Sequence, residues 1–510
     1  MLRIGPVGRV SARSIEEDCA IMVLSNTTLK SIDRKVSSVP TYDRSRLALR
    51  QVHIGLGHFH RAHYLTYLDT LLNKGVVKDW GVFEVDIPPA REEFIANLQK
   101  QDYLYSVLSW DSDGSSQIRV NGPIIGYANA SQEPRTVLDK LSDPSVRLIT
   151  LTITEKGYCY LDDTHSLDWD NPDVHSDVEG KDPFPRTAVG YLAEALARRA
   201  AVDAPVTIMS CDNIPTNGKV LWTCVRQFCE RKYPQILPWI EKHVAFPCTM
   251  VDRITPGTTE EDKRTIEEKG GYRDECPVHC EDFLQWVIEG KRTTVIPDYG
   301  KAGAMVVEDV EPYELMKIRL LNGSHSALSY PAYLMGIRDV DEAATNPLIH
   351  RFIRDVYMEE ISQTLPPVPG IDLVAYKDKL LSRFSNKYIA DKILRLASDG
   401  SKKISNAIIK PLEEAVLSGK KHDAMVFALA GWARFCQGKD EEGNALPIDD
   451  PKRDELTATC HDAKAFLRGA GVSRLDREQM ETLCAKFDQY LALIEQKGTE
   501  GALRSFLQQA

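Results

Sequence analysis

Short apolar runs alternate with longer amphipathic stretches from about residue 47 to about residue 300. The apolar runs are rich in Val, Ile, Leu and Thr, whereas the stretches between them place apolar residues at helical spacing. Strands that alternate with helices form a parallel sheet covered by helices, so the pattern predicts an α/β fold. The predicted strands are 49–54, 81–86, 103–109, 117–120, 147–154 and 206–211, and the predicted helices are 61–73, 89–100 and 187–201.

The pattern changes near residues 297–303, beyond which strand signals nearly vanish and helical periodicity continues to the end of the chain. A length of 510 residues exceeds one ordinary hydrophobic core, which also favours two domains. We therefore predict an N-terminal extension over 1–46, an α/β domain over 47–300 and a mainly α-helical domain over 301–510. Before the boundary, the charged stretch 257–275 predicts a solvated helix, with Thr258 and Glu261 at capping-box spacing.

Composition narrows the partners of the protein. The chain has 63 basic and 74 acidic residues and a net charge of −11, which disfavours nucleic acid and anionic membrane as main partners. It contains no apolar run of the ~18 residues that a membrane span requires. Eleven scattered cysteines without a C-x-x-C pair favour a reducing compartment. We expect a cytoplasmic protein, monomeric or weakly homo-oligomeric, with a small-molecule substrate.

The N-terminus, MLRIGPVGRVSARS, is basic and resembles a mitochondrial presequence. Glycine and proline at positions 5, 6 and 8 interrupt the helix that such a signal needs. A second methionine, Met22, favours the simpler interpretation that residues 1–21 are an upstream extension.

A glycine motif follows the first predicted strand and opens a helix. Gly55-x-Gly57 matches the start of a dinucleotide-binding fingerprint, although His60 replaces the third glycine. The next strand ends in Asp86, which could accept both ribose hydroxyls of NAD and would repel a 2′-phosphate; Glu84 is the alternative acid. The predicted cofactor contacts are Ile54, Gly55, Leu56, Gly57, Phe59 and Asp86, and the predicted cofactor is NAD.

Two clusters have metal-ligating residue types but lack a full ligand set. One contains His53, His58, His60 and His63 near the glycine motif, and the other contains Cys276, His279 and Cys280. A structural zinc site requires four ligands, and no nearby residue completes either group. We predict that the four histidines serve helix packing and phosphate contacts, and we assign no metal to either cluster.

The run MKIRLLNGSHSALSY, residues 316–330, carries the most specific chemistry in the chain. On a helix that turns about 100° per residue, Lys317, Asn322 and His325 fall at roughly 0°, 140° and 80°, within one arc. An amine, a carboxamide and an imidazole together suit oxidation of an alcohol, which needs a base and donors to the developing oxyanion. A helix with a polar stripe is the alternative. Gly323 in mid-helix favours a close approach by ligand or backbone.

Six ordered motifs connect the two halves of the chain, and together they resemble the long-chain, zinc-independent mannitol dehydrogenase family. The motifs are GLGHFHRAH (55–63), TITEKGY (152–158), SCDN (210–213), VDRITP (251–256), Lys317 with LNGSH (321–325), and DGS (399–401) before Lys403. The resemblance implies an α/β Rossmann-type N-terminal domain that binds NAD, followed by a mainly α-helical C-terminal domain. It also implies an active site in the cleft between them.

The resemblance also implies roles for individual residues. Lys317 resembles the general base of the family, and its pKa of about 10.4 in water would have to be lowered by burial or cationic neighbours. Asn213 and Asn322 resemble oxyanion donors, and His325 resembles a group that positions the substrate. Glu314 matches a glutamate on a proton path to solvent, with a surface ion pair as the alternative. The implied contacts to the far end of the substrate are Asp252, Arg395 and Lys403.

The implied reaction is the NAD-dependent interconversion of D-mannitol and D-fructose, without metal. The segments GVFEVDIPPA and TITEKGY resemble fructuronate reductases more closely, whereas VPGIDL and RFSN resemble mannitol 2-dehydrogenases. A hexuronate (fructuronate or tagaturonate) reductase, or an enzyme for another polyol such as D-arabinitol, is therefore the alternative. A non-catalytic nucleotide-sensing protein is a third hypothesis, which the intact Lys317, Asn322 and His325 disfavour.

Overall fold

A computed structural model describes residues 21–89, 91–161 and 163–509 of the chain. The predicted upstream extension, except for residue 21, lies outside the described residues. Within the described part of the chain, no helix combines the length and the apolar character needed to cross a membrane.

Among the described residues, seventeen strands form five sheets. In chain order they are β1 (Met22–Val23), β2 (Ser37–Ser38), β3 (Ala48–Ile54), β4 (Trp80–Asp86), β5 (Tyr105–Trp110), β6 (Ser116–Asn121), β7 (Ile124–Asn129), β8 (Leu148–Leu151), β9 (Tyr160–Leu161), β10 (Ser166–Leu167), β11 (Val206–Ser210), β12 (Val244–Ala245), β13 (Thr249–Asp252), β14 (Tyr272–Arg273), β15 (Val278–Glu281), β16 (Gln285–Glu289) and β17 (Met305–Val307). The largest sheet has the order β12-β11-β8-β3-β4-β7, and all its strand pairs are parallel.

This strand order is that of a Rossmann fold. The chain starts in the middle of the sheet at β3, proceeds outward through β4 and β7, and then returns to β8 on the other side of β3. Ligands of such sheets bind in the crevice at the carboxyl ends of the strands where the order reverses, here between β3 and β8. β8 and β11 are buried at every position, as expected for central parallel strands covered on both faces. The predicted α/β fold is therefore confirmed.

Ten helices accompany the strands among the described residues of this half. They are His58–Ala62, Tyr64–Asn73, Glu92–Lys100, Pro134–Ser142, Thr154–Gly157, Pro172–Glu179, Ala188–Ala201, Asn217–Lys232, Leu237–His243 and Glu260–Gly270. The last of these helices has a capping box, but one residue later than predicted. Thr259 and Asp262 form it, because the hydroxyl of Thr258 instead donates to the carbonyl of Pro277 at 2.9 Å.

The segment that precedes the large sheet contributes strands to two smaller sheets. β1 pairs with β14 and β2 pairs with β6, so part of the predicted extension belongs to the sheets of the α/β half. At the C-terminal end of the α/β half, β17 pairs with β16, so the strands extend a few residues beyond position 300.

From residue 311 onward the described chain is helical and encloses one large hydrophobic core. The α-helices are Glu311–Met316, Gly323–Leu334, Val340–Thr345, Pro347–Arg351, Met358–Ser362, Leu373–Phe384, Ile393–Ala397, Gly400–Ile404, Lys410–Leu417, Asp423–Cys436, Arg453–Thr459, Ala463–Gly469 and Arg477–Gln509, the last interrupted at Gly498. Three helices contain wider π-turns, at Lys317–Asn322, Phe352–Tyr357 and Ser405–Ile409.

The three π-turns meet around Gly323. A Cβ atom at position 323 would lie 2.5 Å from Oη of Tyr357, which ends the second π-turn, and 3.1 Å from the carbonyl oxygen of Ala407 in the third. The glycine in mid-helix is therefore explained by a close approach of neighbouring helices. Two other helices with π-turns therefore pack against the helix that carries Lys317.

Candidate active site

A cavity of about 550 Å³ is lined by residues from both halves of the chain. On the side of the sheet it is reached by residues that follow β3, β8, β11 and β13, and on the other side by the helices that begin near residues 311, 393 and 400. Nine predicted site residues line it: Gly57, Phe59, Asn213, Asp252, Lys317, Asn322, His325, Arg395 and Lys403. The other five, Ile54, Gly55, Leu56, Asp86 and Glu314, do not line it.

Lys317 is buried and directed toward the α/β half. Its Nζ donates to Oδ1 of Asn213 at 2.6 Å and to the carbonyl oxygen of Val251 at 2.7 Å. Burial lowers the pKa of Lys317 below its usual value; Arg383 lowers it further, whereas Asp252 and Glu314 oppose the shift. A neutral amine has two N–H groups, and both would be used by these two acceptors. Its lone pair is then free to accept a proton in the cavity.

The π-turn sets the directions of these side chains. Lys317 begins the turn and Asn322 ends it, so the angles expected for a regular α-helix do not apply between them. Lys317, Asn322 and His325 nevertheless line the same cavity, as predicted. They converge across a local distortion that the periodicity of the sequence did not indicate. Such π-turns occur frequently at functional sites.

Asn213 and His325 present polar atoms from opposite walls. Because Oδ1 of Asn213 accepts from Lys317, its amide nitrogen is the remaining donor. His325 packs against Phe384, with the ring centroids 4.5 Å apart, and its Nε2 has no hydrogen-bond partner among the described residues. Burial, reinforced by Arg395 and Arg383, lowers the pKa of His325 well below its usual value, which keeps the imidazole neutral.

Glu314 lies behind Lys317 and is buried. Its Oε1 accepts a hydrogen bond from the backbone N–H of Thr216 at 2.9 Å. Burial raises the pKa of Glu314 to about 7, although this hydrogen bond and Lys317 partly oppose the shift. The structure thus contradicts the alternative of a surface ion pair and leaves an acid that can exchange a proton near neutral pH.

Asp252 lines the cavity, but both of its carboxylate oxygens are engaged. Arg383 donates to Oδ1 and Oδ2 at 2.8 Å each, and it also pairs with Glu281. Sequence reasoning noted RFSN at 383–386 without assigning Arg383 to the site. The sequence signals that were available are an arginine in a helix of the second half and two acids, Asp252 and Glu281, at the ends of strands in the first half. Their pairing becomes visible only in the structure.

Arg395 and Lys403 form a basic wall at the far side of the cavity. Arg395 makes a bidentate pair with Asp391, and Nζ of Lys403 donates to the carbonyl oxygens of Arg395 and Leu396 at 3.2 and 3.4 Å. Burial and the adjacent Arg395 lower the pKa of Lys403. Glu155, which the prediction omitted, also lines the cavity.

The glycine turn has a backbone that requires its first glycine. Gly55 has φ of +106°, and a Cβ atom there would lie 2.1 Å from the carbonyl oxygen of Thr152 on the neighbouring strand end. At Gly57, by contrast, the nearest atom to a Cβ would be 3.9 Å away, so the side of the residue that faces the cavity is open. This arrangement leaves room for a ligand to approach the backbone at the switch point of the sheet.

The two acids of β4 have different environments. Oδ1 of Asp86 accepts from the backbone N–H of Leu56 at 2.9 Å, which places this carboxylate beside the glycine turn. Glu84 is fully buried and contacts Nε2 of His60 at 3.0 Å. Burial raises the pKa of Glu84 to about 8, so this acid is neutral and unavailable to a ribose. The geometry therefore favours Asp86.

Three of the four histidines near the turn pack inside the protein. His53 and His60 stack with centroids 3.3 Å apart, and Nε2 of His53 contacts the carbonyl oxygen of Gly55 at 3.0 Å. His53, His60 and Glu84 lie close enough to be considered as metal ligands. The stacked rings do not suit an ion, because the lone pairs of two parallel rings cannot converge on one point. The second cluster does not converge either: His279 pairs with Asp262 at 3.1 Å, away from the two cysteines.

Comparison with known proteins identifies both halves. The sequence profile of the mannitol dehydrogenase Rossmann domain matches residues 49–298, and that of the mannitol dehydrogenase C-terminal domain matches residues 309–475. The chain is 39% identical to a mannitol 2-dehydrogenase of Phaeosphaeria nodorum over 425 residues, which cover 82% of this chain and 74% of the relative. It is also 39% identical to the D-mannonate oxidoreductase of Escherichia coli over 419 residues, which cover 81% of this chain and 85% of the relative.

Solved structures give the same result. The Pseudomonas fluorescens mannitol 2-dehydrogenase, in a ternary complex with NAD and D-mannitol, matches with a TM-score of 0.84 and 33% identity, covering 96% of this chain and 100% of that one. A D-sorbitol dehydrogenase in substrate-free form matches with a TM-score of 0.85 and 32% identity, covering 94% and 100%. The chain therefore belongs to the mannitol dehydrogenase family of oxidoreductases that act on CH–OH groups.

Proposed function

We propose that the protein is an NAD-dependent polyol dehydrogenase that interconverts D-mannitol and D-fructose. One observation carries the proposal: a buried Lys317, with both N–H groups of its neutral form directed to protein acceptors, lines a cavity that also contains Gly57. The named relatives and the solved complex with NAD and D-mannitol support the choice of cofactor and substrate.

The residues at the switch point of the sheet suit a dinucleotide. The open side of Gly57 gives a pyrophosphate access to the backbone, and Phe59 lines the same wall. Asp86, at the end of β4, would accept the hydroxyls of the ribose, and Ile54 and Leu56 flank the turn. NAD, when bound, supplies the acceptor for the hydride that leaves the alcohol carbon.

The protein residues manage the proton and the charge on oxygen. The neutral amine of Lys317 accepts the proton of the substrate hydroxyl, so that negative charge develops on oxygen as the hydride leaves. The amides of Asn213 and Asn322 donate to that oxygen, each supplying about 3 kcal/mol to the transition state if they act like other oxyanion donors. His325, neutral and with an unpaired Nε2, would hold a neighbouring hydroxyl.

Glu314 provides a route for the proton to leave. Its pKa of about 7 lies near working pH, and its charge acts on Lys317. It therefore suits a proton relay between the amine and the solvent. Asp252 would act on the substrate only through oxygen lone pairs that Arg383 leaves free.

A hexuronate reductase is the second candidate, because Arg395 and Lys403 place two cations at one end of the cavity. A carboxylate at the end of a keto-acid substrate would pair with them, and the similarity to D-mannonate oxidoreductase agrees with this alternative. D-Arabinitol, a shorter polyol, would leave these cations without a partner group. Glu155 lines the same cavity, where its negative charge would repel the carboxylate of a uronate and would favour a neutral polyol.

A substrate screen monitored by NADH absorbance tests the proposal. D-mannitol and D-fructose should give the highest kcat/KM among D-mannitol, D-fructose, D-fructuronate, D-tagaturonate and D-arabinitol. A large preference for a uronate would establish the second candidate. In that case Lys403→Ala should lower the rate with the uronate far more than the exposed neighbour Lys402→Ala, which does not line the cavity.

A further inference from the structure

One guanidinium joins the two halves of the protein directly behind the cavity. Arg383, near the end of the helix Leu373–Phe384, makes a bidentate pair with Asp252, the last residue of β13. It also makes two hydrogen bonds, of 2.7 and 2.9 Å, to Glu281 at the end of β15. The side chains of Arg383, Asp252 and Glu281 are exposed by only 2%, 5% and 2%. The charges of these three side chains are therefore compensated by one another and not by water.

The cluster is adjacent to Lys317. The amine donates to the carbonyl oxygen of Val251, the residue that immediately precedes Asp252. The charged groups that face the amine are Asp252 from the sheet, Glu314 from its own helix and Arg383 from the helix Leu373–Phe384. His63 and His325 also face it, and burial lowers the pKa of both, so they are neutral.

The charges of these groups compete for the proton of Lys317. Ionised Asp252 stabilises a protonated amine and would therefore hold the base in its inactive form. Arg383 pairs with that carboxylate and holds the pKa of Asp252 below its usual value, although burial opposes this effect. The arginine also repels a proton on the amine directly. Without Arg383, the buried carboxylates of Asp252 and Glu314 would face Lys317. The groups that act on the amine would then include no other cation.

We propose that Arg383 is a positioning residue that keeps Lys317 unprotonated, by occupying the carboxylate of Asp252 and by adding a fixed positive charge behind it. Arg383 does not line the cavity, so it acts through Asp252 and not on the substrate. The inference rests on the proposed role of Lys317 as the base, but the protonation of the amine can be measured without turnover. A purely structural role for this buried ion cluster is the competing explanation.

The test compares three variants by the pH dependence of Lys317 carbamylation. Cyanate, a small reagent, reacts only with the unprotonated amine, and peptide mass spectrometry quantifies the product in enzyme free of substrate and cofactor. Arg383→Met should raise the midpoint by about one pH unit or more, which lowers the rate below the midpoint about tenfold. Arg383→Lys keeps the charge and should shift the midpoint less. Lys377→Met, which removes another buried cation from the same helix, should leave it unchanged.

Further variants separate charge from structure. In the Arg383→Met background, Asp252→Asn should return the midpoint toward that of the parent, because the unpaired anion is removed. If Arg383→Met fails to fold, as judged by circular dichroism, Asp252→Asn alone should lower the midpoint, because the arginine charge then acts on the amine without the opposing charge of Asp252. An unchanged midpoint in Arg383→Met, or in Asp252→Asn, would overturn the inference. Absence of turnover with every polyol and keto-acid would instead refute the proposed function.

Discussion

The two walls of the cavity are built in opposite ways. On the sheet side, the functional groups lie at or just after the ends of strands: Gly57 and Asn213 lie three residues after β3 and β11, and Asp252 ends β13. On the helical side, Lys317 and Asn322 come from the middle of a helix that widens into a π-turn. Strand ends present groups to a crevice because parallel strands all terminate at one edge. A helix presents groups from its middle only along one face, and here that face includes a π-turn.

The largest effect is expected at the helical wall, from Lys317→Ala. Removal of the base should lower kcat about a thousandfold, whereas NADH binding, measured by fluorescence titration, should stay within about twofold. The exposed Lys402→Ala serves as the control and should retain the parental kcat. Normal turnover of the Lys317 variant would show that the base is another group and that the π-turn serves packing alone.

Stability comparisons at two glycines can sharpen the contrast between the walls. Gly55→Ala should lower the free energy of unfolding by about 2 kcal/mol or more, because its φ is positive and the clash is with the backbone oxygen of Thr152. Gly323→Ala should cost about 1–3 kcal/mol through overpacking against Tyr357. Urea denaturation would measure both.

The rescue of these two variants should differ. Tyr357→Phe removes the oxygen that lies 2.5 Å from the added methyl group at position 323, so the double variant should regain most of the loss. No comparable side-chain change is available at Gly55. Failure of the rescue would indicate that the approach of Ala407, at 3.1 Å, and not that of Tyr357, fixes the packing of the π-turns.

A buried acid on the helical side predicts a pH dependence of stability. The pKa of Glu314 is raised from 4.5 to about 7 on folding, so its ionisation destabilises the folded state progressively as the pH rises between these values. Glu314→Gln removes that penalty. The free energy of unfolding of the variant minus that of the parent should therefore be about 2 kcal/mol larger at pH 8 than at pH 5, measured by urea denaturation. A difference that does not change with pH would show that Glu314 is already ionised in the folded protein near pH 5.

The smallest effect is expected at the nucleotide edge of the sheet. Asp86→Ser should reduce the preference for NADH over NADPH about tenfold, because it removes an anion beside the glycine turn. Arg91, which donates to the carbonyl oxygen of Leu56, could then meet a 2′-phosphate. The fully buried Glu84 provides the control: Glu84→Gln should leave the ratio of the two kcat/KM values unchanged. An unaltered preference in Asp86→Ser would mean that another group reads the ribose.

The periodicity of the sequence located the central strands of the sheet half, although it did not indicate β7 or β13. The predicted strands 49–54 and 81–86 became β3 and β4 almost residue for residue, because short segments that contain Val, Ile and Phe favour strands. The glycine turn was predictable for a similar reason, since few backbones other than a tight turn after a strand need Gly-x-Gly there. One local error, the capping box, arose because Thr258 and Thr259 offer equivalent hydroxyls, and only the contact with Pro277 distinguishes them.

The chemistry of the helical half was visible in the sequence, but its geometry was not. The residue types of Lys317, Asn322 and His325 indicated an alcohol-oxidising site, and all three line the cavity. The π-turn next to them lies against two other π-turns from segments distant in sequence, and no local pattern indicated this packing. The pairing of Arg383 with Asp252 likewise joins residues 131 positions apart.

The sequence by itself therefore determined which elements form and which functional groups are present, since both depend on residues that are near each other along the chain. Only the tertiary structure decided the charge state of those groups. The burial of Lys317, the neutral state of His325 and the pairing of Asp252 all depend on helices and strands that meet across the cleft. Electrostatic energies depend on distance in space and on exclusion of water, and neither can be obtained from spacing along a chain.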